Sequence, residues 1–168
     1  CELTTALVNV APIIMGTNGN ITVPANTPFA LTANATDADG DPLTYNWEQM
    51  NNEVSTQSPV STSTGGPNFR SISSSTSPTR YFPNLVDLAN GGPFTWEVIP
   101  SVTRTMNFRL TLRDNSSAAG GCNDHTDVTL TTDAGSGPFI VNYPTVTGIS
   151  WIALTGETVL WDIANTDV

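Results

Sequence analysis

Three aspartates, Asp37, Asp39 and Asp41, stand at alternate positions in one short stretch, and Gly40 lies between the last two. Carboxylates this close repel one another unless a positive charge lies among them. Oxygen-only ligands suit a hard divalent cation such as calcium. The alternative is a solvated turn in which the aspartate side chains accept hydrogen bonds from their own backbone. The stretch therefore predicts a calcium site or an acidic turn, and we favour calcium.

His125 is the other residue whose type could support chemistry. It has no second histidine at metal-ligand spacing, and the sequence contains no His-Glu-x-x-His motif, no recognisable Ser-His-Asp set and no glycine-rich phosphate loop. Zinc binding or general-base chemistry at His125 is therefore not indicated. We expect this chain to have no enzymatic activity of its own.

The charge balance is strongly acidic, with 15 acidic residues against 5 basic ones and a net charge of -10. Clustered basic residues bind nucleic acids and anionic membrane surfaces, so the sequence argues against both partners. No stretch approaches the roughly 20 apolar residues needed to cross a bilayer, so no membrane span is expected. Abundant Thr, Ser, Asn, Gly and Pro favour strands and turns over helices. The composition predicts an all-β protein that is secreted or displayed on the cell surface.

Alternation of apolar and polar residues at period two predicts the strands. It is strongest over residues 106–113, where every even-numbered residue is apolar. In residues 43–48, Leu43, Tyr45 and Trp47 share one face, which makes Trp47 a predicted core residue. Further strands are predicted over residues 13–14, 21–24, 28–35 and 128–131, with a loop over residues 116–125. Together they predict a β-sandwich over residues 11–133, preceded by a lead-in over residues 1–10.

Residues 51–100 form a long insertion that begins with a Ser/Thr-rich run, a composition typical of a disordered linker. The run is followed by large apolar residues, too much apolar surface to leave in water: Phe69, Tyr81, Phe82, Leu85, Val86, Leu88, Phe94 and Trp96. We therefore predict that the insertion packs back on the sandwich, with its aromatic residues in the core rather than on a carbohydrate platform. A helical turn is predicted over residues 83–89, and strands over residues 77–81 and 95–99.

All basic residues of the chain are arginines: Arg70, Arg80, Arg104, Arg109 and Arg113. They could form a patch that binds an acidic polymer. We favour the alternative that they neutralise surface carboxylates, because three of them lie in strands with polar alternation.

A short Gly/Ser linker over residues 134–138 is followed by renewed alternation over residues 139–141, 149–151 and 158–161. These strands predict the incomplete start of a second β-sandwich domain, because roughly 35 residues do not close a core alone. Either the exposed strand edges pair with another chain, or the remaining strands lie outside this sequence.

Several blocks of the sequence resemble a known family. The stretch Asp37-Ala38-Asp39-Gly40-Asp41-Pro42-Leu43-Thr44-Tyr45, with Trp47 and the late strand Phe-Arg-Leu-Thr-Leu-Arg-Asp-Asn, resembles polycystic-kidney-disease-like and cadherin-like immunoglobulin-type modules of bacterial secreted proteins. Further blocks are similar to the segment that follows the catalytic domain in secreted zinc metallopeptidases of the reprolysin-like type: residues 26–32 (Asn-Thr-Pro-Phe-Ala-Leu-Thr), 45–50 (Tyr-Asn-Trp-Glu-Gln-Met), 66–71 (Gly-Pro-Asn-Phe-Arg-Ser), 77–85 (Ser-Pro-Thr-Arg-Tyr-Phe-Pro-Asn-Leu) and 96–98 (Trp-Glu-Val). The resemblance covers essentially the whole chain.

The resemblance implies a non-catalytic, immunoglobulin-like antiparallel β-sandwich downstream of a protease domain. Neighbouring domains of the same polypeptide would be its partners, and it would act as a calcium-stiffened spacer or as a docking surface for a substrate, a protein or a surface polymer. A cell-surface adhesin or tethering segment without an attached enzyme is the alternative. Members of the family often carry cysteine at the position of Asn46, so Cys122 is here either free or paired with Cys1.

The immunoglobulin-like topology also predicts where the acidic residues meet. In such a sandwich the N-terminus, the loop between the second and third strands and the loop before the last strand lie at the same end, which we call the pole. These segments supply the predicted calcium ligands Asn9, Asp37, Asp39, Asp41 and Asp114. An ion bound there would stiffen the joint to whatever precedes Asn9.

Overall fold

A computed structural model describes residues 9–54, 58–92, 94–117 and 120–165. Within these ranges the chain forms nine strands and one short helix: β1 (Ile13–Thr17), β2 (Ile21–Pro24), β3 (Phe29–Thr36), β4 (Thr44–Gln49), β5 (Thr79–Phe82), α1 (Leu85–Ala89), β6 (Arg104–Arg113), β7 (Asn123–Asp133), β8 (Ile140–Tyr143) and β9 (Leu160–Asp162). The prediction of an all-β protein is confirmed. No helix in the described ranges is long and apolar enough to cross a membrane.

Two sheets enclose the core. One has three strands in the order β1-β3-β5, and the other has four in the order β2-β7-β6-β4. The named strands pair antiparallel, except that β2 and β7 run parallel. A turn at residues 18–20 carries the chain from the first sheet to the second, as its Asn-Gly sequence predicts. The architecture is a β-sandwich, whereas its immunoglobulin-like type stays a prediction.

Strand alternation directs the apolar side chains between the sheets. In β6 the even-numbered residues Met106, Phe108, Leu110 and Leu112 are fully buried and polar residues alternate with them. Trp47 of β4 is buried as well, at 2% exposure. The predicted strand over residues 106–113 and the core position of Trp47 are both confirmed.

Four phenylalanines form the centre of this core: Phe29, Phe69, Phe82 and Phe108. Their ring centroids lie 4.9 to 6.2 Å apart in stacked, tilted and edge-to-face arrangements. Phe69 and Phe82 belong to the insertion over residues 51–100. The prediction that the insertion packs back on the sandwich is therefore confirmed for these two rings.

Other apolar side chains of the insertion remain in water, contrary to the prediction. Tyr81, Leu85 and Val86 are 44%, 51% and 70% exposed. Successive side chains of a strand point to opposite faces, so Phe82 faces the core while its neighbour Tyr81 faces outward. Helix α1, which lies inside the predicted helical turn, has no buried residue.

Two buried arginines hold the irregular parts of the insertion against the sandwich. Arg104, at the start of β6, is 4% exposed. Its guanidinium donates to Asn68 Oδ1 at 2.7 Å and to the carbonyls of Gly66 and Ser63 at 2.8 and 3.0 Å. These two carbonyls accept no hydrogen bond within a sheet, and Arg104 of a core strand supplies the donors instead.

Arg80 of β5 forms a buried salt bridge with Glu97, with an N–O distance of 2.6 Å and side chains that are 7% and 6% exposed. The same guanidinium donates to the Trp47 carbonyl at 2.6 Å, and Glu97 accepts from the Asn84 N–H at 2.8 Å. The central carbon of the Arg80 guanidinium lies 4.4 Å from the centroid of the Phe82 ring. This cluster joins the insertion to both sheets.

The interpretation that the arginines neutralise surface carboxylates is wrong for Arg80 and Arg104, because both are buried. It is confirmed for Arg109, which pairs with Asp127 across the surface of β6 and β7 at 2.7 Å. Arg109 stands between the core residues Phe108 and Leu110, so its outward position follows from the alternation of β6, whereas Arg104 shares the register of the buried even-numbered residues.

Two predicted strands are absent. Residues 95–99 contribute a single bridge, Glu97 with Phe69, because Trp96 has a φ of 63° and cannot continue an extended run. Residues 149–151 have no strand pairing either.

The predicted loop over residues 116–125 is too long. Strand β7 begins at Asn123 to match the full length of β6, so His125 lies in a strand opposite Thr111.

Beyond the linker, β8 and β9 pair antiparallel as a two-stranded sheet. Phe139 stacks on Trp161 with centroids 6.5 Å apart, yet Trp151 and Trp161 are 50% and 53% exposed. This hairpin lacks a buried apolar core among the described residues. Its assignment to the start of a second domain stays a prediction.

Candidate metal centre

The loop between β3 and β4 gathers the three aspartates of the acidic stretch. One carboxylate oxygen from each of Asp37, Asp39 and Asp41 lies within 4.8 Å of the others. Asp37 Oδ1 shapes this loop, because it accepts the N–H groups of Asp39 at 2.9 Å and Asp41 at 3.0 Å. Gly40 takes a φ of 77°, a conformation that other residues rarely adopt.

The N-terminal joint, residues 9–12, lies directly against this loop. The Val10 N–H donates to Asp39 Oδ2 at 2.7 Å. Asn9 Nδ2 donates to Asp114 Oδ2 at 2.7 Å, and so links the joint to the loop that follows β6. The predicted meeting of the three segments at one pole is therefore found.

Asp114 is fully buried at this pole. Its Oδ1 accepts the N–H groups of Cys122 at 2.9 Å and Ser116 at 3.3 Å. Burial works to raise the pKa of Asp114, but the hydrogen bonds from Asn9, Cys122 and Ser116 outweigh it and hold the pKa below its usual value. Asp114 is therefore an ionised brace between the joint and the loop.

The structure separates the predicted ligands into two groups. Asp37, Asp39 and Asp41 converge, whereas Asp114 is not part of their 4.8 Å group and uses both oxygens in hydrogen bonds. Asn9 contacts Asp114 through its amide nitrogen. Whether any of these residues binds a metal stays a prediction.

Two side-chain oxygens at the pole are buried and accept no hydrogen bond from the described residues: Asn9 Oδ1 and Asp37 Oδ2. Buried acceptors without donors are rare and costly in folded proteins. Neither described salt bridge involves the three loop carboxylates. A cation bound by the three loop carboxylates would offset their charge and give Asp37 Oδ2 a partner, so the residues of this loop fit calcium.

Sequence reasoning missed two residues that also fix this pole. Asp124 Oδ2 accepts the Ile14 N–H at 3.0 Å, and Asn115 Nδ2 donates to the Pro42 carbonyl at 2.9 Å. Asp124 lies in the segment that the topology placed at this pole, but it was not singled out as a residue that fixes the joint. Asn115 did carry a signal, since an asparagine beside Asp114 readily takes the left-handed φ of 49° seen here.

Cys122 forms no disulfide with a described residue. Cys1, its predicted partner, lies outside the described residues. A free Cys122 and a disulfide between Cys1 and Cys122 therefore both stay predictions.

Two comparisons with known proteins bear on identity. No family model matches the chain. A search of curated proteins finds no significant match.

Proposed function

We propose that this chain is a non-catalytic β-sandwich module of a secreted or cell-surface bacterial protein, and that calcium stiffens its N-terminal joint. One observation carries the proposal. Three loop carboxylates lie within 4.8 Å of one another, Asp39 accepts the Val10 N–H of the joint, and Asp37 Oδ2 is buried without a hydrogen-bond donor among the described residues.

The spacing of the oxygens suits calcium. Calcium binds six to eight oxygens at about 2.3–2.6 Å, so ligands on opposite sides of the ion are about 5 Å apart. Oxygens of Asp37, Asp39 and Asp41 that lie within 4.8 Å of one another match this spacing. Asn9 Oδ1, backbone carbonyls and water would complete the shell. Magnesium demands shorter distances and a stricter octahedron, so calcium is the better match.

The position of the site explains what binding would do. The Val10 N–H already donates to Asp39, and the Asn9 side chain already donates to Asp114. Without a cation, repulsion among the loop carboxylates opposes this arrangement. Calcium would remove the repulsion and fix the joint relative to both sheets.

The parent protein that we propose is a secreted zinc metallopeptidase, with this module as a spacer downstream of the catalytic domain. Support comes from the acidic composition and from the resemblance of five blocks to the segment that follows such catalytic domains: residues 26–32, 45–50, 66–71, 77–85 and 96–98. The exposed outer faces of the sandwich would then be available to a substrate or partner.

Calcium is expected to raise the thermal stability of the chain. At a calcium concentration about a hundredfold above the dissociation constant, the free energy of unfolding should rise by about 2.7 kcal/mol, which corresponds to a melting temperature about 5–10 °C higher. Calorimetry with calcium, with magnesium and with EGTA measures the effect, and isothermal titration gives the affinity.

Asp39→Asn is the matched variant, because asparagine keeps an oxygen that can accept the Val10 N–H but loses the charge. It should abolish most of the calcium response. Asp162→Asn, in β9 and away from the pole, should keep it. Equal melting temperatures in calcium and EGTA, or an unchanged response in Asp39→Asn, would refute the calcium site.

The purified chain is expected to show no peptidase activity. Casein and gelatin should remain intact after long incubation with zinc and calcium, while a zinc peptidase run in parallel degrades both. Hydrolysis that co-purifies with the chain and is lost on its immunodepletion would contradict the proposed non-catalytic role.

A further inference from the structure

The segment that joins the sandwich to the β8–β9 hairpin, residues 134–138, has the composition of a flexible linker, but hydrogen bonds hold it in place. The Thr103 hydroxyl accepts the first N–H group of the segment at 2.9 Å. The Gly135 N–H donates to Asp133 Oδ1 at 2.9 Å, and the Ser136 hydroxyl donates to Asp133 Oδ2 at 3.0 Å. The segment therefore differs from a Gly/Ser chain that samples many conformations.

The same segment is bonded to the loop between β2 and β3. The Ala25 N–H is shared between the carbonyls of Asp133 and Ser136, at 2.8 and 3.2 Å, and Ala25 is buried. The Thr27 hydroxyl accepts the Phe139 N–H at 3.1 Å. The attachment to the sandwich thus extends to the residue that immediately precedes β8.

Gly137 is a point of close approach within this segment. Its φ is 97°, a conformation that residues with a side chain rarely adopt. A Cβ atom at this position would lie 2.5 Å from Pro24 Cβ and 2.6 Å from the Ala25 carbonyl oxygen. Carbon atoms pack at about 3.5–4.0 Å, so only glycine fits between the segment and the end of β2.

The far end of the hairpin returns to the same place. The Gly137 N–H donates to the carbonyl of Ala164, which follows β9, at 2.8 Å. The hairpin is therefore attached both where the chain enters it and where the chain leaves it. Strand β7 begins beside the pole at Asn123 and ends at Asp133, 11 residues later. At about 3.4 Å per residue, this attachment lies roughly 35 Å from the pole, at the opposite end of the sandwich.

We propose that residues 133–139 form a second joint, which needs no metal ion and holds the β8–β9 hairpin in one orientation relative to the sandwich. Hydrogen bonds at both ends of the hairpin and the close fit of Gly137 oppose its rotation. The carboxylate in this joint, Asp133, has a hydrogen bond to each oxygen, and among the described residues the cluster of three carboxylates lies at the pole instead. The second joint therefore does not rest on the proposed calcium site.

The test is nuclear magnetic resonance of the whole isotope-labelled chain in EGTA. Residual dipolar couplings of the amides in β8 and β9 should fit one alignment tensor together with those in β6 and β7. Order parameters should be about 0.85 in both groups. A separate tensor for the hairpin, order parameters below about 0.6 within it, or a common tensor that requires calcium would each overturn the proposal. Loss of the calcium response at the pole would leave it standing.

Gly137→Ala should remove the hairpin from the common tensor, because the added Cβ forces the segment away from the end of β2. Thr27→Val keeps the shape of the side chain but loses the acceptor of the Phe139 N–H, so it should lower the order parameters of the hairpin. Gly156→Ala is the matched control, since a Cβ there meets no atom within 4 Å, and it should keep the common tensor.

The amide spectrum of β6 and β7 shows whether each variant keeps the sandwich folded. A folded Gly137→Ala whose hairpin keeps its original orientation would contradict the second joint, and so would an equal release of the hairpin in Gly156→Ala. If Gly137→Ala does not fold, Thr27→Val decides the question. Unchanged order parameters in Thr27→Val would then refute the proposal.

Discussion

Arg80→Ala is expected to lower the free energy of unfolding by about 3–5 kcal/mol, because it leaves Glu97 as an uncompensated charge in the interior. Both side chains are less than one tenth exposed, and the guanidinium also serves the Trp47 carbonyl. Urea unfolding followed by tryptophan fluorescence measures the loss. The double variant Arg80→Met/Glu97→Leu should recover much of it, since neither charge then remains buried.

Arg109→Ala is the control for this effect, because Arg109 also bonds an acidic side chain at 2.7 Å but on the exposed face of β6 and β7. Its loss should lower the free energy of unfolding far less than the loss of Arg80, because solvent and salt screen an exposed ion pair. Similar losses from Arg80→Ala and Arg109→Ala would show that the buried pair does not hold the insertion in place.

Phe69→Ala is expected to destabilise the whole sandwich by about 3–5 kcal/mol rather than loosening only the insertion. The ring is 2% exposed and touches Phe29, Phe82 and Phe108 from both sheets. Unfolding should remain a single transition, with fluorescence and circular dichroism coincident.

Val86→Ala provides the comparison, since Val86 belongs to the same insertion but is 70% exposed. It should change stability by about 0.5 kcal/mol or less. A separate early transition in Phe69→Ala, or early proteolytic cleavage confined to residues 58–92, would mean that the insertion is an appendage and not part of the core.

Local periodicity was enough to predict most of the fold. The alternation in residues 106–113 and the apolar face that ends at Trp47 are set by neighbouring residues, and the sheet pairing preserves them. Strand ends were harder, because the length of β7 follows from its partner β6 and not from its own pattern. His125 was assigned to a loop for that reason.

The buried arginines could not be predicted in the same way. Arg80 meets Glu97 and Arg104 meets Asn68 only once the insertion has folded back, and no spacing in the sequence indicates either contact. The candidate metal centre was partly predictable: Asp37, Asp39 and Asp41 stand at alternate positions of one short loop, so their convergence could be predicted. The hydrogen bond between Asn9 and Asp114 joins residues 105 positions apart. Predicting that these two residues meet required the immunoglobulin-like topology in addition to the local sequence.

The parallel pairing of β2 with β7 determines how the sandwich responds to tension along the chain. A pull on the N-terminal side draws Ile21–Pro24 toward its start, while a pull on the C-terminal side draws β7 toward its end. Parallel neighbours are then displaced in opposite directions along their own axes. Their hydrogen bonds share the load together and do not open one after another, so a module that separates two domains would resist extension at this pair of strands.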